Sequence, residues 1–233
     1  SETPFPVLNN TALVNGATVG STILILIRQG DNAYSVTSGL DGYGIPYELV
    51  RVPKTGFQLP ALNSSTNGNY GGIISLSELA YDYDGNWHSG ISADQYNTIY
   101  AYQVAFGVRF VRIDAYPQPA FGTTTAPSGV GCSTDVEQLI SLTNNTGFAT
   151  ANIKTDATMS TRNMYHYPAA ITDSATTWEV AKYSASADGS FPSDTTAAVI
   201  NDFAGRQQMV WFGSWATEWS PTSNFLQHAY IHW

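Results

Sequence analysis

A single cysteine, Cys132, rules out an intrachain disulfide, so the fold has to rest on its core. At 233 residues the chain is long enough for a sizeable core without one, and a single domain spanning 1–233 is expected. Charge is scarce as well. Asp, Glu, Lys and Arg make up 12% of the chain, about half the roughly 25% of an ordinary globular protein. Basic residues are scarcer still: nine Lys and Arg stand against eighteen Asp and Glu, a net charge of −9. That balance argues against nucleic acid and an anionic membrane face as partners, and it admits a neutral or cationic one. No apolar run approaches the ~18 residues of a membrane span. No signal peptide heads the chain, which reads as a mature or excised form.

Short catalytic motifs are also lacking. There is no G-x-S-x-G nucleophile elbow, and Cys132 lies in "SGVGCSTD", away from any tight strand-to-helix turn. His228 and His232 share a helix face at i, i+4, but no H-E-x-x-H and no third ligand accompany them. "GLDGYG" follows a helix and lacks the Lys-Ser/Thr of a phosphate loop. No cofactor and no metal site is expected.

Thr, Ser, Asn, Tyr and Gly fill the place of the charges, a composition common in secreted proteins. Three N-x-[ST] sequons, at Asn9, Asn63 and Asn144, lie in polar loops and point to glycosylation of an exported, extracellular chain.

The first half alternates strand and helix. "TILILIR" (22–28) is an unbroken apolar run, as expected of a strand buried on both faces. Asp31 can cap a short helix over 36–40, and "YELVRV" (47–52) alternates like a strand. "GGIISLS" reads as another buried strand. Ser92 and Gln95 have capping-box spacing for a helix over 94–106, ended by Gly107, and the strand 108–114 follows. This order predicts a mostly parallel α/β sheet with flanking helices. From 117 to 193 the chain is rich in Thr, Ser, Gly and Pro, and an antiparallel excursion is expected there. "AAVINDF" and "RQQMVWFGSW" bracket "AGR" as a hairpin, and "SNFLQHAYIHW" reads as a final helix capped by Thr222 or Ser223.

In open α/β sheets, ligands gather outside the carboxyl ends of the strands. After "GGIISLS" come Glu78, Tyr81, Asp82, Tyr83, Asp84, Trp87 and His88; after "VRFVRI" come Asp114 and Tyr116; after the last strand come Trp215, Glu218 and Trp219. Trp211, still on that strand, is expected in the core. Rings interleaved with carboxylates suit a sugar chain: apolar sugar faces stack on rings, and carboxylates accept from hydroxyls or pair with amines. The plainer alternative is that the rings pack loops onto the domain.

The order of elements resembles the class I glutamine-amidotransferase-like fold, without its Cys after the inner strand or its His after the late one. "SGLDGYGIPYELV", "YGGIISLSELAYDYDGNW", "YAYQVAFGVRFVRIDAYP" and the stretch from "VINDF" to the C-terminus are similar to a module of secreted fungal galactosaminogalactan deacetylases. In that family a carbohydrate-binding module of family 87 precedes a metal-dependent deacetylase domain of carbohydrate esterase family 18. The resemblance covers 22–233. It implies a secreted, non-catalytic module that holds a galactosamine and N-acetylgalactosamine polysaccharide beside a deacetylase domain, in a biofilm setting. The alternatives are a divergent hydrolase using Asp114, His88 or Cys132, and a purely structural support.

Overall fold

The computed structural model describes residues 13–127 and 136–233. They form two compact units, and the chain visits each more than once. The first contains residues up to Arg112 and the segment Asp202–Gln208; the second contains Ile113–Asn201 and Met209–Trp233.

In the first unit the strand order is Arg109–Ile113, Gly72–Leu76, Ile23–Arg28, Tyr47–Val52. Ile23–Arg28 pairs in parallel with both of its neighbours. That central place explains its unbroken apolar run: Leu24, Ile25, Leu26 and Ile27 are all fully buried. Tyr47–Val52, at the end of the order, is more exposed than its neighbour, with Glu48 and Arg51 exposed and only Val52 fully buried. The helix Ala93–Phe106 begins at the capping box the sequence predicts. Ser92 Oγ accepts from Gln95 N at 3.2 Å, and Gln95 Oε1 accepts from Ser92 N at 3.0 Å. Gly107 ends the helix in the left-handed conformation. Ile99, Tyr102 and Phe106 of this helix share a core with Leu24, Leu26, Ile73 and Phe110 of the strands. The first helix is longer than expected, Tyr34–Tyr43. Asp31 does not cap it but pairs with Arg28 at 2.9 Å.

The second unit corrects the expectation of a mostly parallel sheet. Its strands Leu139–Leu142, Thr177–Tyr183 and Thr195–Phe203 pair antiparallel in that order, with Ala169–Ile171 also antiparallel to Thr195–Phe203. The fold is therefore mixed α/β rather than mostly parallel, with antiparallel pairing in the second half, where it is expected. The reason lies in the connections. Parallel neighbours need a crossover of a dozen residues or more, usually a helix, and 117–193 supplies no α-helix among the described residues. Thr195–Phe203 and Arg206–Trp211 are joined through Ala204 and Gly205, both at positive φ as a two-residue hairpin demands.

The final helix, Pro221–His232, starts earlier than expected. Ser220 is its cap, accepting from Ser223 N at 3.1 Å, because Pro221 fits the first helical position, where its missing N–H costs nothing.

Candidate functional site

Beyond Gly72–Leu76 the chain takes three successive non-glycine residues into the left-handed region: Ser77, Glu78 and Leu79, at φ 56°, 50° and 56°. Backbone of this kind persists only where surrounding contacts hold it. Here Leu79 is buried, and Glu78 accepts from Arg112 Nη1 at 2.8 Å. Arg112 also donates to the Tyr100 hydroxyl and to Gln208 Oε1. With the Arg112 side chain only 3% exposed, Glu78 serves as the counter-charge of a buried cation. That pairing gives Glu78 a structural role beside the sugar-contacting one expected of it.

A hairpin follows, Ala80–Tyr83 paired with Asn86–Ser89. Its register sets Tyr81 opposite His88 and Asp82 opposite Trp87, so the two faces differ. On one face Tyr81 donates to Val52 O at 2.6 Å and accepts from Gln29 N at 2.9 Å. Tyr83, on that face, donates to Lys54 O, with His88 stacked on its ring at 3.7 Å and the Lys54 ammonium 4.9 Å from the ring centre. These rings fasten the hairpin. On the other face Asp82 and Trp87 are both exposed, an indole beside a carboxylate. Asp84 holds the turn with φ 53°, and Gly85 N donates to Asp82 Oδ1.

In the second unit three backbone segments lie side by side. Asp114 N donates to Gly213 O at 3.0 Å, and Ser214 N donates to Tyr165 O at 2.7 Å. Tyr167 N donates to Phe212 O at 2.8 Å. Asp114, at φ 61°, is hydrogen-bonded by the Tyr167 hydroxyl, whose pKa burial raises first and the Asp114 charge raises further. The Tyr116 ring is 5.5 Å from Tyr167, and Tyr116 and Tyr165 are both exposed. This cluster contains two residues the sequence reading selected, Asp114 and Tyr116, and two it missed. The signal for Tyr165 and Tyr167 was their alternation about His166 in "NMYHYP", inside the stretch read only as an antiparallel excursion.

The three late tryptophans part company. Trp211 is buried, as expected. Trp215 is only 7% exposed, set edge-on to Trp211 and stacked on Tyr230 at 5.7 Å. It is a core residue, which corrects its expected role as a sugar platform: the last helix folds back and Tyr230 covers it. Trp219 is 53% exposed and walls a groove of about 710 Å³. Glu218 beside it is exposed, with its carbonyl accepting from Asn224.

Asn63 is exposed; Asn144 Oδ1 accepts from Thr146 N and Oγ1 at 3.0 and 2.8 Å. Asn9 and Cys132 lie outside the described residues. Among the described residues no three His, Cys, Asp or Glu side chains gather as a metal site. No described helix is long and apolar enough to cross a membrane.

The family model of the Agd3 CBM87 module matches residues 19–233. The crystal structure of Agd3, described as a novel carbohydrate deacetylase, is 49% identical to this chain with a TM-score of 0.88. The match covers 93% of this chain and 32% of that one, so the chain spans about a third of that protein's length. A β-galactosidase from Rahnella sp. R3 matches at 11% identity and TM-score 0.56, over 93% of this chain and 31% of its own. A ThuA-like protein from Bacteroides uniformis matches at 12% identity and TM-score 0.54, over 98% and 94%. These two likenesses are of fold alone. No curated protein sequence matches the chain. A family match over nearly the whole sequence, with half its residues shared with Agd3, makes this chain a carbohydrate-binding module of the Agd3 CBM87 family.

Proposed function

We propose that this module holds a galactosamine- and N-acetylgalactosamine-containing polysaccharide and is itself non-catalytic. In this reading it works beside a deacetylase domain, as the description of Agd3 suggests, and outside the cell, as its sequons and uncharged polar composition suggest. The observation that carries the proposal is the Asp114 cluster: a carboxylate fixed by Tyr167 and flanked by the exposed rings of Tyr116 and Tyr165. A free-amine sugar offers a cation to the carboxylate and an apolar face to a ring, and aromatic faces attract cations in their own right. Asp82 with Trp87 repeats the pairing of carboxylate and ring on the first unit. Trp219 adds an exposed ring on the second.

The test is binding of the chain to galactosamine oligomers, with Asp114→Asn and Tyr116→Ala as variants. Asn tolerates the left-handed backbone of Asp114, so that substitution removes charge without adding strain. Each variant is expected to weaken binding of the deacetylated oligomer several-fold. Wild-type binding unaffected by both would remove the cluster from the site. Acetate released from acetylated oligomers, with or without divalent metal, and lost in Asp114→Asn, would replace the binding reading with an enzymatic one.

A further inference from the structure

We propose that the groove walled by Trp219 is a subsite for the N-acetylated sugar of the polymer and selects against its free-amine neighbour. This rests on the amino-sugar reading above and assigns a second chemistry within it. The groove's volume, about 710 Å³, is in the usual range of small-molecule sites, roughly 300–1,000 Å³. Two rings open onto it, Trp219 and Phe225, and both are solvent-exposed. Met159 and Pro221 extend the apolar lining. An acetyl methyl has a dry surface to meet there.

The polar part of the lining is cationic. Arg162 is the one charged side chain among the lining residues, and it is 73% exposed. Its nearest carboxylate, Glu137, is not part of the lining. That carboxylate already accepts from Arg162 Nη2 at 3.2 Å and from the Ser160 hydroxyl. Ser160 Oγ in turn accepts from Arg162 N at 3.1 Å, and Thr222 Oγ1 donates to Ser160 O at 2.7 Å. Glu137 and Ser160 are therefore engaged with Arg162, Thr222 and each other. What faces an arriving ligand is guanidinium N–H and the exposed amide of Asn163. A neutral acetamido group fits this surface, with its carbonyl accepting from Arg162 and its methyl on Met159 and Phe225. An ammonium finds no carboxylate among the lining side chains, only neutral acceptors such as the Asn163 amide oxygen, and it meets a like charge in Arg162. The groove and the Asp114 cluster are thus opposite in sign, one suited to each form of the same sugar.

The experiment compares two hexasaccharides, fully N-acetylated and fully deacetylated galactosamine, on the whole chain and on Trp219→Ala, Arg162→Gln and Tyr116→Ala. Saturation-transfer NMR on the acetyl methyl and titration of affinity are the readouts. Trp219→Ala and Arg162→Gln are expected to weaken the acetylated hexamer about three- to tenfold, the scale of one solvent-exposed hydrogen bond or one stacked ring. The deacetylated hexamer should keep its affinity in Trp219→Ala and gain in Arg162→Gln. The proposal is overturned if both hexamers lose equally, or if the acetylated one is indifferent to both variants. If that happens while Tyr116→Ala still weakens the deacetylated hexamer, the functional reading survives and only the groove assignment falls. If the wild type binds neither hexamer, both fall. Arg162→Gln touches no core packing, so a folding defect in Trp219→Ala leaves the test intact.

Discussion

Trp211, Trp215 and Trp219 are spaced alike in sequence, yet they should answer to different measurements. Truncating a buried aromatic to Ala costs about 3–5 kcal/mol. That loss is expected for Trp211→Ala and also for Trp215→Ala, because both rings are enclosed. Trp219→Ala should melt within a few degrees of the wild type. Thermal unfolding of the three variants decides it; a cold-shifted melt for Trp219→Ala would make that ring structural. A second residue-scale prediction concerns His166, buried between Tyr165 and Tyr167. Nδ1–H donates to Met164 O at 3.0 Å, the ring lies 4.7 Å from Tyr183, and Nε2 meets no partner among the described residues. Burial lowers its pKa below the ordinary 6.5. Between that lowered value and 6.5 the unfolded chain binds more protons than the folded one, so stability rises with pH across this window. The contribution is complete above 6.5 and is lost as pH falls through the folded value. Calorimetry from pH 7 to 5 should show a falling melting temperature, with a shallower fall in His166→Gln; equal slopes would assign the effect to another group.

Elements in the first unit were largely legible, because their signals are local. The capping box of Ser92 and Gln95 gave the helix to within a residue, and the unbroken run at 23–28 gave a strand paired on both sides. The turn at Ser77–Leu79 was not legible. Nothing in "SEL" announces three left-handed residues; they follow from Arg112, more than thirty positions away, drawing Glu78 inward. Distance in sequence also hid the bridge between His166 and Gly213, while Trp215 turned on whether Tyr230 of the last helix folds back over it. The strained turn gives the element-scale prediction. Glu78→Ala leaves a buried guanidinium without its counter-ion, a change that costs about 3–5 kcal/mol where both partners are desolvated. Urea unfolding measures it. A loss below about 1 kcal/mol would mean that the pair behaves like a surface bridge.

For the whole molecule, the net charge of −9 sets how binding should answer to salt. Attraction between an acidic protein and a cationic polymer is screened over about 8–10 Å at physiological ionic strength. Raising salt should weaken the deacetylated polymer and leave the acetylated one nearly unchanged; parallel losses would mean that charge contributes nothing selective. The molecule's path through its two units has a consequence of another kind. Gln207 O accepts from Gln103, Gln207 Oε1 from Arg109, and Gln208 Oε1 from Arg112. All of these residues belong to the first unit, yet Asp202–Gln208 is separated from Arg112 by roughly 90 positions. A chain emerging from the ribosome therefore cannot finish its first unit when residue 112 appears. At about 5–20 residues per second the missing segment follows on the order of ten seconds later. Until then Arg109–Ile113 carries an open edge, and Arg109 and Arg112 lack their bonds to Gln207 and Gln208, so this strand is exposed to wrong pairing during synthesis in a way the finished protein is not.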